Sequence, residues 1–144
     1  MSAGNNWNID SLFNALKALD EVASQEITLS LIQSSEPSIK LEMNEFGGLP
    51  IHIALAGQQI IVDTVLVDID SITDVRAFND AVLRSREMFP LSSIGIESMP
   101  NGQTVYNMFG ALSADSSLTN VVTEVKTLVD NVQRASEAFE HFFK

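Results

Sequence analysis

Cysteine is absent from the chain, so disulfides, zinc–thiolate centres and thiol nucleophiles are excluded outright. Histidine is nearly absent: His52 and His141 are the only two, which leaves little for a hydrolytic triad or an imidazole-rich metal site. Positive charge is scarce, with eight Lys and Arg against 19 Asp and Glu for a formal charge of −11. Phosphate backbones would be repelled, and no nucleic-acid partner is expected. No run approaches the roughly 18 apolar residues of a membrane span. The start, Met1 to Trp7, has neither the basic nor the apolar region of a secretion signal. The chain therefore reads as soluble and cytoplasmic, without membrane insertion.

What is present suits a packed core. Hydrophobic residues make up 45% and charged residues only 19% of the 144 positions, outside the composition that keeps chains disordered. A chain of this length buries roughly 70% of its unfolded surface. A single α+β domain over residues 1–144 is expected, with residues 1–7 as a polar leader.

Hydrophobic periodicity gives the order of elements. Ile9, Leu12, Phe13, Leu16 and Leu19 recur at helical spacing behind Asp10, read as the cap. From Ile27 the period changes to two, through Leu29 and Leu31, then Ile39, Leu41 and Met43 after a turn at Ser34 to Pro37. Gly47-Gly48 opens another turn, before Ile51, Ile53 and Leu55, and Gly57 precedes the long apolar run Ile60 to Ile69, read as a central strand. Ser71 with Asp74 three residues on predicts a second helix that turns Val75, Phe78, Val82 and Leu83 inward, pairs Asp80 with Arg84 outside, and ends at Pro90. Ser93 to Glu97 and Thr104 to Leu112 form a hairpin around Pro100-Asn101-Gly102. A last helix starts at Ser116 or Ser117 and runs to the C-terminus. The fold class is an antiparallel β-sheet with helices packed on one face, in the order α-β-β-β-β-α-β-β-α.

The candidate chemical motifs fail on their spacing. Asp68 to Asp74 opens like a calcium loop, but its sixth position is Thr73 rather than glycine and its twelfth is Asn79 rather than glutamate. The simpler reading is a strand end running into a helix cap. Gly47-Gly48 lacks the Lys-Ser/Thr of a phosphate loop. His52 alternates with apolar strand residues and His141 falls on the polar side of the last helix, so neither is assigned a catalytic or ligand role. No catalytic residue, metal or cofactor is expected, and the chain reads as a non-enzyme.

One feature asks for a partner. From Ser117 to Phe143 the last helix would be about 40 Å long at 1.5 Å per residue, against a radius of gyration of roughly 15 Å for a chain of this size. Its apolar stripe, with Glu124, Asp130, Glu137 and Glu140 on the polar side, should outrun its own sheet. Val132, Ala135, Phe139, Phe142 and Phe143 are the candidate protein-binding or dimer surface, and a homodimer is expected.

The stretches Phe78 to Arg84, Phe89-Pro90-Leu91-Ser92-Ser93-Ile94-Gly95-Ile96, Phe109 to Ser113 and Leu118 to Asn131 resemble the bacterial YjfI family, nearly from end to end. Order, size and acidity also resemble class I type III secretion chaperones, small homodimers that bind unfolded segments of secreted proteins, although those have three strands between their first two helices where four are read here. The YjfI resemblance implies an envelope-stress or phage-shock partner, PspA-like, because such proteins are often encoded nearby. The function that follows is a protein-binding module, adaptor or chaperone-like. The alternative is a small-molecule-binding regulatory domain, or an enzyme with an unrecognised pocket.

Overall fold

In the computed structural model, which describes residues 6–144, the first helix begins two residues earlier than the sequence suggests. Asn8, not Asp10, caps α1 (Ile9–Lys17): its side chain accepts from the Ser11 N–H at 2.8 Å while the Ser11 hydroxyl accepts from the Asn8 N–H at 3.0 Å. This reciprocal pair satisfies two donors that the helix itself leaves free. A short helix α2 (Asp20–Ala23), too brief to leave a periodic signal, follows. Of the polar leader read over residues 1–7, residues 1–5 lie outside the described residues; Trp7 is anchored, its indole N–H donating to the Ser116 carbonyl at 2.8 Å.

Six strands follow the expected order: β1 (Ile27–Ile32), β2 (Ser38–Met43), β3 (Leu49–Ala56), β4 (Gln59–Asp68), β5 (Ser93–Ser98) and β6 (Thr104–Ser113). They form one antiparallel sheet in the order β1-β2-β3-β4-β6-β5. Between β4 and β5 lies α3 (Val75–Leu83), and after β6 comes α4 (Leu118–Ala138). The architecture is therefore α+β as read from the sequence, with β1 and β5 at the two edges.

The described residues pack as two compact units, one of residues up to 62 with 111–125 and one of residues 63–110 with 126–144. In the first unit, β2 pairs with β1 and β3 in continuous antiparallel register, Leu41 facing both Leu29 and Ile51. Ile39, Leu41, Ile51 and Ile53 are buried on one face, and α1 packs on β1 and β2 through Leu12 and Leu16, one helical turn apart. Val121 and Val125 of α4 are buried as well.

The second unit is built around Phe78. Its ring is fully buried and meets Tyr106, Phe139 and Phe142 edge to face, with centroids 4.7, 5.4 and 5.3 Å away. The cap of α3 is Asp74, whose carboxylate accepts from the Ala77 N–H at 3.1 Å. Ser71 has a different role, its carbonyl accepting from the Lys144 N–H. The helix ends at Leu83, well before Pro90, and a 3-10 turn at Arg86–Met88 intervenes. Leu83, expected inward, is 80% exposed, because it lies about 100° around the axis from Val82 and so off the buried stripe. The outward Asp80–Arg84 pair forms at 3.0 Å as its i,i+4 spacing suggests.

Helix α4 also departs from expectation. It has 21 residues, about 32 Å, and stops at Ala138 instead of running to the C-terminus. A 3-10 turn at Glu140–Phe142 then folds the chain back. The Thr73 N–H donates to the Phe142 carbonyl at 2.9 Å, and Phe143 bridges to Ile72. These backbone bonds compete with helix continuation and win because they bury the terminal aromatics on Phe78. Glu124, assigned to the polar side of the helix, is only 5% exposed.

Candidate protein-binding surfaces

The residues predicted as the binding surface do not form one open face. Ala135 and Phe139 are buried inside the second unit, while Val132, Phe142 and Phe143 are half-buried. Phe139 lies 6.1 Å from Phe89 and 5.4 Å from Phe78, ring to ring. The aromatics read as surplus are the packing of their own unit.

Nor do the polar motifs converge on a reaction centre. Asp68 accepts from the Asp70 N–H at 2.8 Å and from the Gln103 side chain. With Asp74 capping α3, the acidic run ends a strand and starts a helix. His52 faces Lys40 across β3 and β2, and His141 is exposed against the Phe142 ring at 4.2 Å. Among the described residues no group of three His, Asp or Glu side chains is gathered to hold a metal ion. No described helix is long and apolar enough to cross a membrane.

Two surfaces are open instead. The first lies along the β1 edge of the first unit. Val22, Gln25, Ile27, Thr28, Leu29 and Asn44 line a cleft of about 480 Å³ there. Ile32, at the end of β1, and Phe46, just past β2, are exposed. Gln25 takes a left-handed backbone, φ +67°, and its carbonyl accepts from the Asn44 side chain at 2.8 Å, which also donates to Thr28. This tie brings the loop after β2 beside β1, and Glu45 beside Glu26. The hydrogen bond and charge of Glu26 hold the Glu45 carboxyl above the usual carboxylate range. A cationic side chain placed between the two would relieve their repulsion. The unit as a whole carries nine acids against Lys17 and Lys40, and Lys40 is already paired with Glu42 at 3.1 Å.

The second surface lies on the second unit, between α3 and the edge strand β5. Asn79, Val82, Leu83, Ile94, Ile96 and Tyr106 line a mostly apolar cleft of about 270 Å³. The Tyr106 hydroxyl donates to the Asn79 side chain at its floor, and burial pushes the Tyr106 pKa up. Around it, Ile96 is 56% exposed, and Leu91, two residues ahead of β5, is 60% exposed with φ +68°. The loop that carries Leu91 is fastened from α4: the buried Asn131 side chain donates to the Pro90 carbonyl at 2.8 Å and the Ser92 hydroxyl at 2.9 Å. Arg134 donates to Asn131 and to the Met88 carbonyl. Sequence reasoning missed this surface because its members come from three separated segments; the one available signal was an apolar residue, Leu83, lying off the stripe of its helix.

Comparisons with known proteins agree with this fold. The model of the family described as "Uncharacterized protein conserved in bacteria (DUF2170)" matches residues 6–143. Protein YjfI of Escherichia coli (strain K12) is 36% identical over 136 residues, covering 94% of this chain and 97% of its own length. Among solved structures, YbjN of E. coli, described as a putative transcription regulator, superposes with a TM-score of 0.66 at 12% identity, covering 94% of this chain and 96% of its own. A protein from Methanothermobacter thermautotrophicus reaches 0.63 at 12% identity, covering 92% of this chain and 99% of its own. A chain of the HopA1–SchA chaperone–effector complex reaches 0.58 at 11% identity, covering 91% of this chain and 98% of its own. At these identities the three structures share the fold, and the chaperone-like fold read from the sequence is the one observed.

Proposed function

This chain belongs to the DUF2170 family of bacterial proteins, and we propose that it is a non-catalytic protein-binding module, adaptor- or chaperone-like, that acts as a homodimer. Its client site is the β1 edge, and its client is an extended segment that combines cationic and apolar side chains. The observation that carries this reading is the Glu26–Glu45 carboxyl pair beside the open β1 edge, in a unit whose acids outnumber its bases nine to two. A strand added to that edge finds main-chain partners, its apolar residues reach Ile27, Leu29 and Ile32, and a Lys or Arg pairs with the two glutamates. The acidic surface also steers such a segment in from solution. Fold likeness to a chaperone–effector complex supports the class of function. The family resemblance makes a PspA-like membrane-stress protein the first client to try.

The test is binding of basic–apolar peptides, and of a purified PspA-like protein, to the full chain, read by fluorescence anisotropy in rising salt. Affinity should fall steeply with salt and drop roughly tenfold in the Glu26→Gln, Glu45→Gln double variant. Binding that ignores both salt and the double variant would place the client elsewhere. A chain that binds no such segment, and is stabilised instead by small metabolites, would overturn the reading in favour of a regulatory ligand domain.

A further inference from the structure

The α3–β5 face of the second unit carries both halves of a self-contact. We infer that a second copy of this chain docks there, the two β5 strands pairing antiparallel about a two-fold axis at Gly95, with Leu83 of each copy seated in the other's cleft. This rests on reading the chain as a homodimer and names the surface that makes it.

The edge itself is the first argument. β5 is last in the sheet and is hydrogen-bonded to β6 on one side only. Exposed edges are normally guarded by charge, proline or a bulge. Ser93-Ile94-Gly95-Ile96-Glu97-Ser98 has one charge and no proline, and its register with β6 runs unbroken from Ser93 opposite Phe109 to Ser98 opposite Thr104. The strand is left fit to be paired.

Shape is the second. A two-fold contact uses the same patch twice, so the patch must hold a projection and a recess that fit each other. Leu83 projects, 80% exposed, at the lip of the cleft that Val82, Ile94, Ile96 and Tyr106 line. Leu91 and Ile96 extend the apolar surface on the β5 side.

Charge opposes a second copy less here than elsewhere. The net charge of −11 opposes self-association over most of the surface, but Arg76, Arg84 and Arg86 place three of the eight basic residues on α3 and the turn after it. Arg84 is held by Asp80. Arg86, which with Ser93 and Ile94 lines the adjoining recess, has no ion pair among the described residues. Pairing about Gly95 sets Ile94 against Ile96 and Ser93 against Glu97. Ile94 and Ile96 lie on the face that α3 covers, so the pairing joins the apolar sides of both copies, while Glu97 points to the opposite face and accepts from the Asn107 side chain of its own copy at 3.3 Å.

Light scattering and sedimentation of the full chain test the proposal. The wild type should run at twice its 15.7 kDa chain mass at micromolar concentration, and Leu83→Asp should be monomeric. Leu83 is already solvent-exposed, so the variant should keep the wild-type far-UV spectrum. Ile96→Asp should weaken association by at least about tenfold, whereas Glu97→Arg, on the opposite face of the sheet, should leave it within about threefold. A wild type monomeric at several hundred micromolar would overturn both the homodimer and this surface. A dimer that survives Leu83→Asp or Ile96→Asp would overturn the surface while leaving the homodimer standing. Peptide binding at the β1 edge is read separately, so failure here leaves the client reading to be judged on its own test.

Discussion

Tyr106 stands edge-on to Phe78, the ring planes 83° apart and the centroids 4.7 Å apart, while its hydroxyl donates to Asn79 one residue along the same helix. The strand β6 thus grips α3 by an apolar contact and a polar one on neighbouring residues. Phe78 is the shared partner of Tyr106, Phe139 and Phe142, so removing its ring opens a cavity that four segments line. Phe78→Ala should cost about 3–5 kcal/mol, measured by urea denaturation. A loss under about 1 kcal/mol would mean that the cluster is not the core of its unit.

Phe139→Ser should behave as a core lesion rather than an interface lesion. The ring is 4% exposed, and its loss should lower the denaturation midpoint by the equivalent of about 3 kcal/mol. The dissociation constant of the dimer, measured below the unfolding transition, should stay near its wild-type value. Leu83→Asp should do the reverse. If Phe139→Ser dissociates the dimer with its stability intact, the C-terminal stripe is the interface after all.

The contrast between these two residues shows what the sequence made legible. Strand alternation and turn residues located all six strands, because period-two burial on a sheet face is a local property: Ile39, Leu41 and Met43 are buried as their spacing implies. Helix ends were harder. Leu83 follows Val82 by 100° around the axis, which takes it off the Val75–Phe78–Val82 stripe; its apolar character, not its phase, suggested burial. The end of α4 is set by hydrogen bonds from Thr73 and to Ser71, residues about 70 positions away, and no periodicity within the helix could announce them. Both docking surfaces are tertiary in the same sense.

The choice of cap gives a third test. Asp74→Ala should cost about 1 kcal/mol, because it removes the acceptor of the Ala77 N–H. Ser71→Ala should change stability by less than about 0.5 kcal/mol, since Ser71 contributes its carbonyl and not its hydroxyl to the Lys144 contact. Equal losses at the two positions would reassign the start of α3.

Glu124 should make stability depend on pH. Its Oε2 is buried with no hydrogen-bond partner among the described residues, and burial raises its pKa above the usual 4.5. The folded state therefore binds the proton more tightly than the unfolded state, and stability falls as pH climbs from the unfolded value through the folded one. Glu124→Gln should raise the melting temperature at pH 7.5 relative to wild type, with the gap closing toward pH 4.5. A gap that widens on acidification would mean that the carboxylate is stabilised where it lies.

Leu91 separates a structural role from a binding role most cleanly, because the two predict opposite signs. A leucine at φ +68° sits in the left-handed region, where a β-carbon crowds the following carbonyl and glycine would be easier to accommodate. The side chain gains little in return from its own chain, since it is 60% exposed. Its loop is nonetheless held in place by Asn131 through Pro90 and Ser92, so the unfavourable conformation is maintained. Such strain tends to persist where an exposed side chain is needed for contact. Leu91→Gly should therefore stabilise the isolated chain by up to about 1 kcal/mol while weakening its self-association severalfold, read by denaturation of the Leu83→Asp monomer background and by sedimentation of the otherwise wild-type chain. A variant that is more stable and associates as tightly would mark Leu91 as a tolerated accident of the loop. A variant that is less stable would show that the leucine packs at home, and the α3–β5 face would then lose one of its apolar contacts.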